Sequence, residues 1–412
     1  MNDIFDYDEY DVPKKNNVLL DTNNSKDNKT DKTNKTKSSK TKKVKKTNAN
    51  KNSDNLNPED KKNLIISIIL IIVLVGLVVA IVFYTKSVKK NNNNTPNSGN
   101  NSNPNTEIKN NTEEEKKVSI IDVDSNTRPY AVMINCHNAA LPQAGLNNAY
   151  IVYELMVEGG ITRMMALFKD KDVDKIGSVR SARTQYLDYV YENDAIYAHA
   201  GGAADADRRL ANENINHVDV DGAYGIRDKS LNRAWEHKLF TTTNLIKKGA
   251  TAKGYRLTTD TKSLLKYTAK EIDMTKYNSS VANNISIKYS DYRTSNYTYD
   301  SSSKTYLRSM NSTKNTDLVT GEQYKVKNIL VYAVNYSSYC DHGYCLYQKI
   351  DNVGTGEGLY ITDGYSVPII WEKPSKNAKT TYKLKETGKE LELNDGNTYI
   401  QIYPTSGKLA IN

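Results

Sequence analysis

Hydrophobic positions divide the chain into three regimes. Residues 1–62 are rich in Asn, Asp, Lys, Ser and Thr with few aliphatics, a mixture that buries too little apolar surface to offset chain entropy, so a disordered tail is expected. Residues 64–84, LIISIILIIVLVGLVVAIVFY, form an unbroken apolar run without a charge. At about 1.5 Å per residue such a helix spans the roughly 30 Å hydrocarbon layer, which predicts one transmembrane helix over 63–85. Residues 86–117 return to Asn, Ser, Thr and Glu and read as a flexible tether. From 118 onward, short apolar runs recur between turn-forming residues.

In the first part of that region, 118–255, apolar strands at 130–135, 151–157 and 161–168 precede a stretch that organises the rest: IGSVRSARTQYLDYVYENDAIYAHAGG, 176–202. It predicts a helix from Ser181 to about Glu192, a strand at 195–198, and a second helix just past Gly202. The second part, 256–412, has short Tyr-, Val- and Ile-rich segments at 285–289, 329–336, 346–352, 359–362, 369–371 and 398–403, separated by Gly, Asn and Asp. The predicted class is α+β: a layered α/β N-terminal unit followed by a β-rich C-terminal unit.

Charge narrows the partners. The tail carries fifteen lysines against eleven acids and the tether six against four, so of the net +9 only +3 remains for 118–412, which is no nucleic-acid footprint. The lysine excess before the apolar run places the N-terminus in the cytoplasm and the large C-terminal part outside, at a cell membrane.

Candidate chemistry centres on 176–202. Arg180, Ser181 and Arg183 lead into one helix, with the Ser181 hydroxyl as its cap, and His199, Gly201 and Gly202 lead into the next. Helix N-termini present unpaired N–H groups, so the two starts, with Arg227 nearby, are expected to bind an anionic cell-wall or glycan group. The plain alternative is a surface salt-bridge network in which the glycines serve the turn. Upstream, Gly159-Gly160 suits a two-residue primed turn pairing Met156 with Arg163. That register puts Glu154 and Glu158 on one face with Arg163 between them, a structural cluster; the competing reading makes Glu154 or Glu158, with His199, the acid/base groups of a hydrolase or transferase. A third reading is a sensing scaffold whose tail has a cytoplasmic partner.

RPYAVMIN (128–135), LPQAGLNNAYIVYELMVEGGITRMMALF (141–168), KIGSVRSAR (175–183), DAIYAHAGG (194–202), IRDKSLNRAWEHKLFTTTNL (226–245) and the segments from GTGEGLYITDG to NTYIQIYP (354–404) occur in order. This series resembles the YerB-like family of bacterial envelope proteins, a two-part domain of unknown function. The resemblance implies a mixed α+β first unit, a β-rich second unit and an extracytoplasmic location, with no established reaction. Family members are commonly lipoproteins, so here the transmembrane run takes the place of the lipid anchor.

Of three cysteines, Cys340 and Cys345 flank a four-residue turn between β-rich runs, which suits a cross-hairpin disulfide in an oxidising compartment, or else two reduced thiols. Cys136 is left over; beside His137 it suggests a nucleophile, but strand neighbours point to opposite faces. The five histidines lack HExxH or Cys/His spacing, so neither metal nor cofactor is expected.

Overall fold

The computed structural model describes residues 117–412. The tail and the apolar run lie outside the described residues, as does the tether apart from Lys117. Among the described residues no helix is long and apolar enough to cross a membrane.

The fold is built on an eleven-stranded mixed sheet. The first half of the described chain supplies β1 (Tyr130–Asn135), β2 (Ile151–Met156), β3 (Thr162–Phe168), β4 (Ile196–His199) and β5 (His217–Asp219). β3 lies antiparallel between β2 and β1, and β4 and β5 follow β1 in parallel. Parallel crossovers need intervening chain, and short helices supply it: α1 (Thr184–Glu192) leads into β4 and α2 (Ala204–Asn212) into β5.

The second half first forms a separate antiparallel sheet from β6 (Asn284–Lys288), β7 (Thr294–Asp300) and β8 (Thr305–Met310), with short flanking strands. It then extends the large sheet through β9 (Asn328–Val334). A protruding hairpin follows, β10 (Tyr336–Asp341) and β11 (Tyr344–Ile350), before β12 (Gly354–Thr362), β13 (Tyr365–Lys373) and β14 (Thr398–Pro404) return to the large sheet. A last strand, β15 (Lys408–Ile411), pairs with β6. The two sequence halves therefore share one sheet: β14 is parallel to β2 on one side and to β9 on the other. A division at 255/256 separates segments of sequence while the packing runs across it. Buried polar pairs also cross it, Lys373 Nζ to Glu192 at 2.7 Å and Asn352 Nδ2 to Asp188 at 3.0 Å.

Alternation along the strands sorts the core onto the two faces of the sheet. Ala131, Met133, Tyr153, Leu155, Met165 and Leu167 face α1 and α2, packing on Tyr186, Leu187, Tyr189 and Ala206. Val132, Ile134, Val152, Met164 and Ala166 face the smaller sheet, against Ile285, Ile287, Tyr297 and Tyr306. Because both faces are covered, β1, β3 and β9 read as nearly continuous apolar runs, whereas β6 and β8 alternate buried with accessible positions.

The β2–β3 hairpin departs from the primed two-residue turn. Val157 N–H bonds the Ile161 carbonyl around a loop at Glu158–Gly160, and both glycines take positive φ, 66° and 73°. Met156 consequently pairs with Thr162, and Leu155 with Arg163. A one-residue slip reverses every side chain, so Glu154 and Arg163 lie on opposite faces of the sheet. The expected Glu154–Arg163–Glu158 cluster is split in two.

Candidate functional site at the carboxyl edge of the parallel strands

The carboxyl ends of parallel strands open where their connections turn away, which is where ligands bind in open α/β sheets. At this edge lie Asn135, His199 and Asp219, the last residues of β1, β4 and β5. The two expected helix approaches meet there. Ala200 N–H donates to the Arg180 carbonyl (3.1 Å), Ala182 N–H to Gly201 (2.9 Å) and Ala203 N–H to Ala182 (3.1 Å), fastening the Arg-Ser-x-Arg segment to the His-Ala-Gly-Gly segment.

Side chains give these segments a different use from the one expected. Glu158, 4 % exposed, accepts from Arg183 Nε at 2.8 and 3.0 Å and from Arg163 Nη2 at 3.0 Å. Arg163 Nη1 also donates to the Ser181 carbonyl (2.7 Å). Burial pushes the Glu158 carboxyl up, but Arg183 and Arg163 overcome it and hold it near 2. A carboxylate ionised at every physiological pH is no general acid. Glu154, fully buried, is bound by Arg308 at 3.0 Å, Ser295 (3.0 Å) and Thr162 (2.8 Å). Neither glutamate faces solvent, which weighs against the competing reading of Glu154 or Glu158 as an acid/base group.

The helix starts are also occupied. α1 begins at Thr184 with Arg183 as N-cap and no side-chain cap, so Ser181 does not cap it. The first turn of α2 carries Asp205 and Asp207, and a Cβ on Gly202 would stand 2.0 Å from Asp207 Oδ1. The protein's own carboxylates thus hold Arg183 and the approach to Gly202, where an external anion was expected.

His199 is 2 % exposed. Its Nδ1 lies 2.7 Å from the Gly201 carbonyl and must donate there, so in the neutral ring Nε2 accepts from His217 Nδ1 at 2.9 Å. Burial lowers the His199 pKa despite Asp219 nearby. Burial, the neighbouring His199 and Lys253 bring His217 down to about 4. The pair is neutral at pH 7. Asp207 is shifted the other way, raised by burial and by Asp219.

From this pair the edge runs outward as a polar chain. Asp219 faces the Gly201 N–H at 3.3 Å and accepts from Asp221 N–H at 2.9 Å. Arg227 donates to Asp221 (2.7 Å) and to the Trp235 carbonyl (2.8 Å), and its guanidinium lies 4.4 Å over the Trp235 ring. Trp235 is 61 % exposed. Behind it His237 stacks on His137 at 5.1 Å and meets Asn135 Nδ2 at 2.9 Å. The β10–β11 hairpin, closed by the Cys340–Cys345 disulfide, reaches the other end of the site. Tyr339 donates to Asp205, Asp341 pairs with Arg208 at 3.0 Å, and Tyr347 lies under Arg183 at 5.9 Å. Cys136 is fully buried with its thiol pushed up to about 12, mainly by burial, which removes it as a nucleophile. Among the described residues, no group of three or more His, Cys, Asp or Glu side chains is placed to hold a metal ion.

Residues 118–256 match the family model described as the N-terminal domain of a protein of unknown function (DUF3048), and residues 285–400 match the corresponding C-terminal domain. The chain is 31 % identical over 283 residues to "Putative lipoprotein YerB" of Bacillus subtilis (strain 168), covering 67 % of this chain and 81 % of that protein. The chain belongs to the YerB-like family. The crystal structure of the Bacillus subtilis YerB protein superposes with a TM-score of 0.59 at 27 % identity, covering 69 % of this chain and 94 % of that one. The YerB-like fold thus places His199, Gly201, Gly202, Arg180 and Arg227 along one edge and commits Arg163 and Arg183 to Glu158. His217, Asp207, Asp219 and Trp235 were missed from sequence; the parallel register of Tyr197 with His217 and His199 with Asp219 is the signal that reveals His217 and Asp219.

Proposed function

We propose that the chain is a membrane-anchored protein of the cell envelope, held by the apolar run at 63–85 with its folded part outside, and that it binds an envelope glycan without transforming it. The Bacillus subtilis relative, named "Putative lipoprotein YerB", supports the envelope location. The observation that carries the ligand class is Trp235, 61 % exposed at the carboxyl edge and flanked by Arg227 and Asp221. An exposed indole offers a flat apolar platform to the C–H face of a sugar ring, while the adjacent guanidinium and carboxylates match its hydroxyls. With Arg163 and Arg183 committed to Glu158, an anionic substituent falls to Arg227, which stands at the exposed Trp235. The engagement of Glu154 and Glu158 weighs against hydrolysis.

The test is co-sedimentation of the full-length protein, in detergent, with purified insoluble cell wall. Trp235→Ala and Arg227→Ala are each expected to reduce the bound fraction at least fivefold with unchanged melting temperature. Equal binding by both variants overturns the reading, and turnover of wall polymer that is lost in His217→Ala establishes the enzyme reading instead.

A further inference from the structure

Between the large sheet and the β6–β8 sheet lies a second polar cluster, independent of the edge just described. At its centre Arg308, fully buried, pairs with the fully buried Glu154 at 3.0 Å and donates to Asn315 Oδ1. A second guanidinium, Arg293, is 2 % exposed and reaches the cluster through Nη2, which donates to the Cys136 carbonyl at 3.0 Å. The Cys136 thiol lies within electrostatic reach of Glu154, Arg308 and Arg293. The interior here thus holds two guanidinium charges against one carboxylate. Asp317, the next carboxylate, is engaged by the backbone N–H groups of Gly145, Val319 and Thr320 and couples to Tyr324.

Hydrogen-bond chemistry points the same way as charge. Arg293 Nε and Nη1, Asn315 Nδ2 and Gln401 Nε2 are buried without a partner, while Arg308 also bonds the Tyr297 hydroxyl. Asn315 accepts from Arg308 through Oδ1, so its free atom is the amide nitrogen, a donor. Gln143 Oε1 is a matching side-chain acceptor, because Gln143 Nε2 already donates to the Asn135 carbonyl at 2.8 Å, and the hydroxyls of Tyr297, Tyr324 and Tyr399 beside Arg308 can each accept or donate. A region with an excess positive charge, where Arg293 keeps two N–H-bearing nitrogens open, is complementary to a desolvated acceptor carrying one negative charge. Buried charge is tolerated only when paired and hydrogen-bonded.

We infer that this interior binds one small monovalent anion of the halide class, chloride in physiological media, against Arg293 and within reach of Arg308, Asn315 and Gln401. The ion completes the packing of the smaller sheet on the large one, and the site faces no solvent edge. Cys136 does not supply the charge, since its thiol is held protonated by burial.

The experiment follows thermal unfolding of the full-length protein in detergent as chloride replaces gluconate at constant ionic strength. The melting temperature is expected to rise linearly with the logarithm of chloride concentration above the dissociation constant, with a slope corresponding to one ion released per chain. Sulfate at equal ionic strength is expected to give no such rise. Bromide-soaked crystals are expected to show one anomalous peak beside Arg293. Arg293→Met removes the excess charge and is expected to abolish the chloride dependence; if that variant does not fold, the bromide experiment on the unmodified protein decides. A melting temperature indifferent to chloride together with no bromide at Arg293 overturns the inference. So does a thiolate absorbance near 240 nm at neutral pH that disappears in Cys136→Ser, which puts the balancing charge on sulfur.

Discussion

Glu158 is the carboxylate on which the approach to α1 depends, and its replacement is the most demanding test of the geometry. In Glu158→Gln the volume is kept while the charge between Arg163 and Arg183 is lost, leaving two guanidinium groups facing one amide. A carboxyl that titrates near 4.5 in a disordered chain and near 2 in the fold is favoured in its ionised form by about 3 kcal/mol. Breaking a buried pair from one side costs about 3–5 kcal/mol, in agreement. For a folded region of this size the melting temperature is expected to fall by about 6–10 °C. The depressed pKa also fixes the sign of the acid response. The contribution is complete above about pH 4.5 and is lost as pH falls towards 2, so the wild-type protein loses stability more steeply through that window than Glu158→Gln, which keeps only the losses from other paired carboxylates such as Asp194 and Asp228. Denaturant melts of both proteins at neutral pH and between pH 5 and 2.5 measure the two effects. A loss below about 1 kcal/mol at neutral pH, or an unchanged acid slope in the variant, refutes the claim that Glu158 is the anion of the arginine pair.

Three further outcomes are expected. Replacing Cys340 and Cys345 by serine opens a short loop, so by the chain-entropy estimate it costs about 2 kcal/mol, and peptide mapping of the unreduced protein should find these two linked and Cys136 free. His199 and His217 titrate lower in the fold than in a disordered chain, so stability is expected to fall as pH drops from 6.5 towards 4; His217→Asn should flatten that window in denaturant melts, and an unchanged slope removes the pair as its cause. Protease added to intact cells should remove 118–412 and spare a tag at Met1, whereas the reverse pattern inverts the orientation.

Local signals in the sequence were read correctly where one segment suffices. The β1 run, the strand ending at His199 and the β-rich second half follow from apolar runs and turn residues alone. The β2–β3 register did not, because Gly159-Gly160 fits more than one loop length and the choice rests on contacts such as Gly160 with Ser290. The partners of Glu154 were also out of reach: Arg308 and Ser295 approach from a sheet more than a hundred positions away. The same holds for the anion at the arginines, since nothing in RSAR indicates that Glu158 would fill it. At the edge, Trp235 gave no periodic signal, and only its exposure beside Arg227 distinguishes it from a core aromatic.

The insertion of β14 between β2 and β9 sets the order in which the molecule can be completed. Until Thr398–Pro404 has emerged from the ribosome, or from a translocation pore, β2 and β9 each present an open edge with unsatisfied backbone groups. The strand that closes both edges arrives after both of the strands it pairs with, so a truncated or stalled chain exposes adhesive edges where the finished protein has its interior. Either half expressed alone is expected to be sticky, and a vectorially synthesised chain has to keep its first half from pairing with neighbours until β14 is delivered.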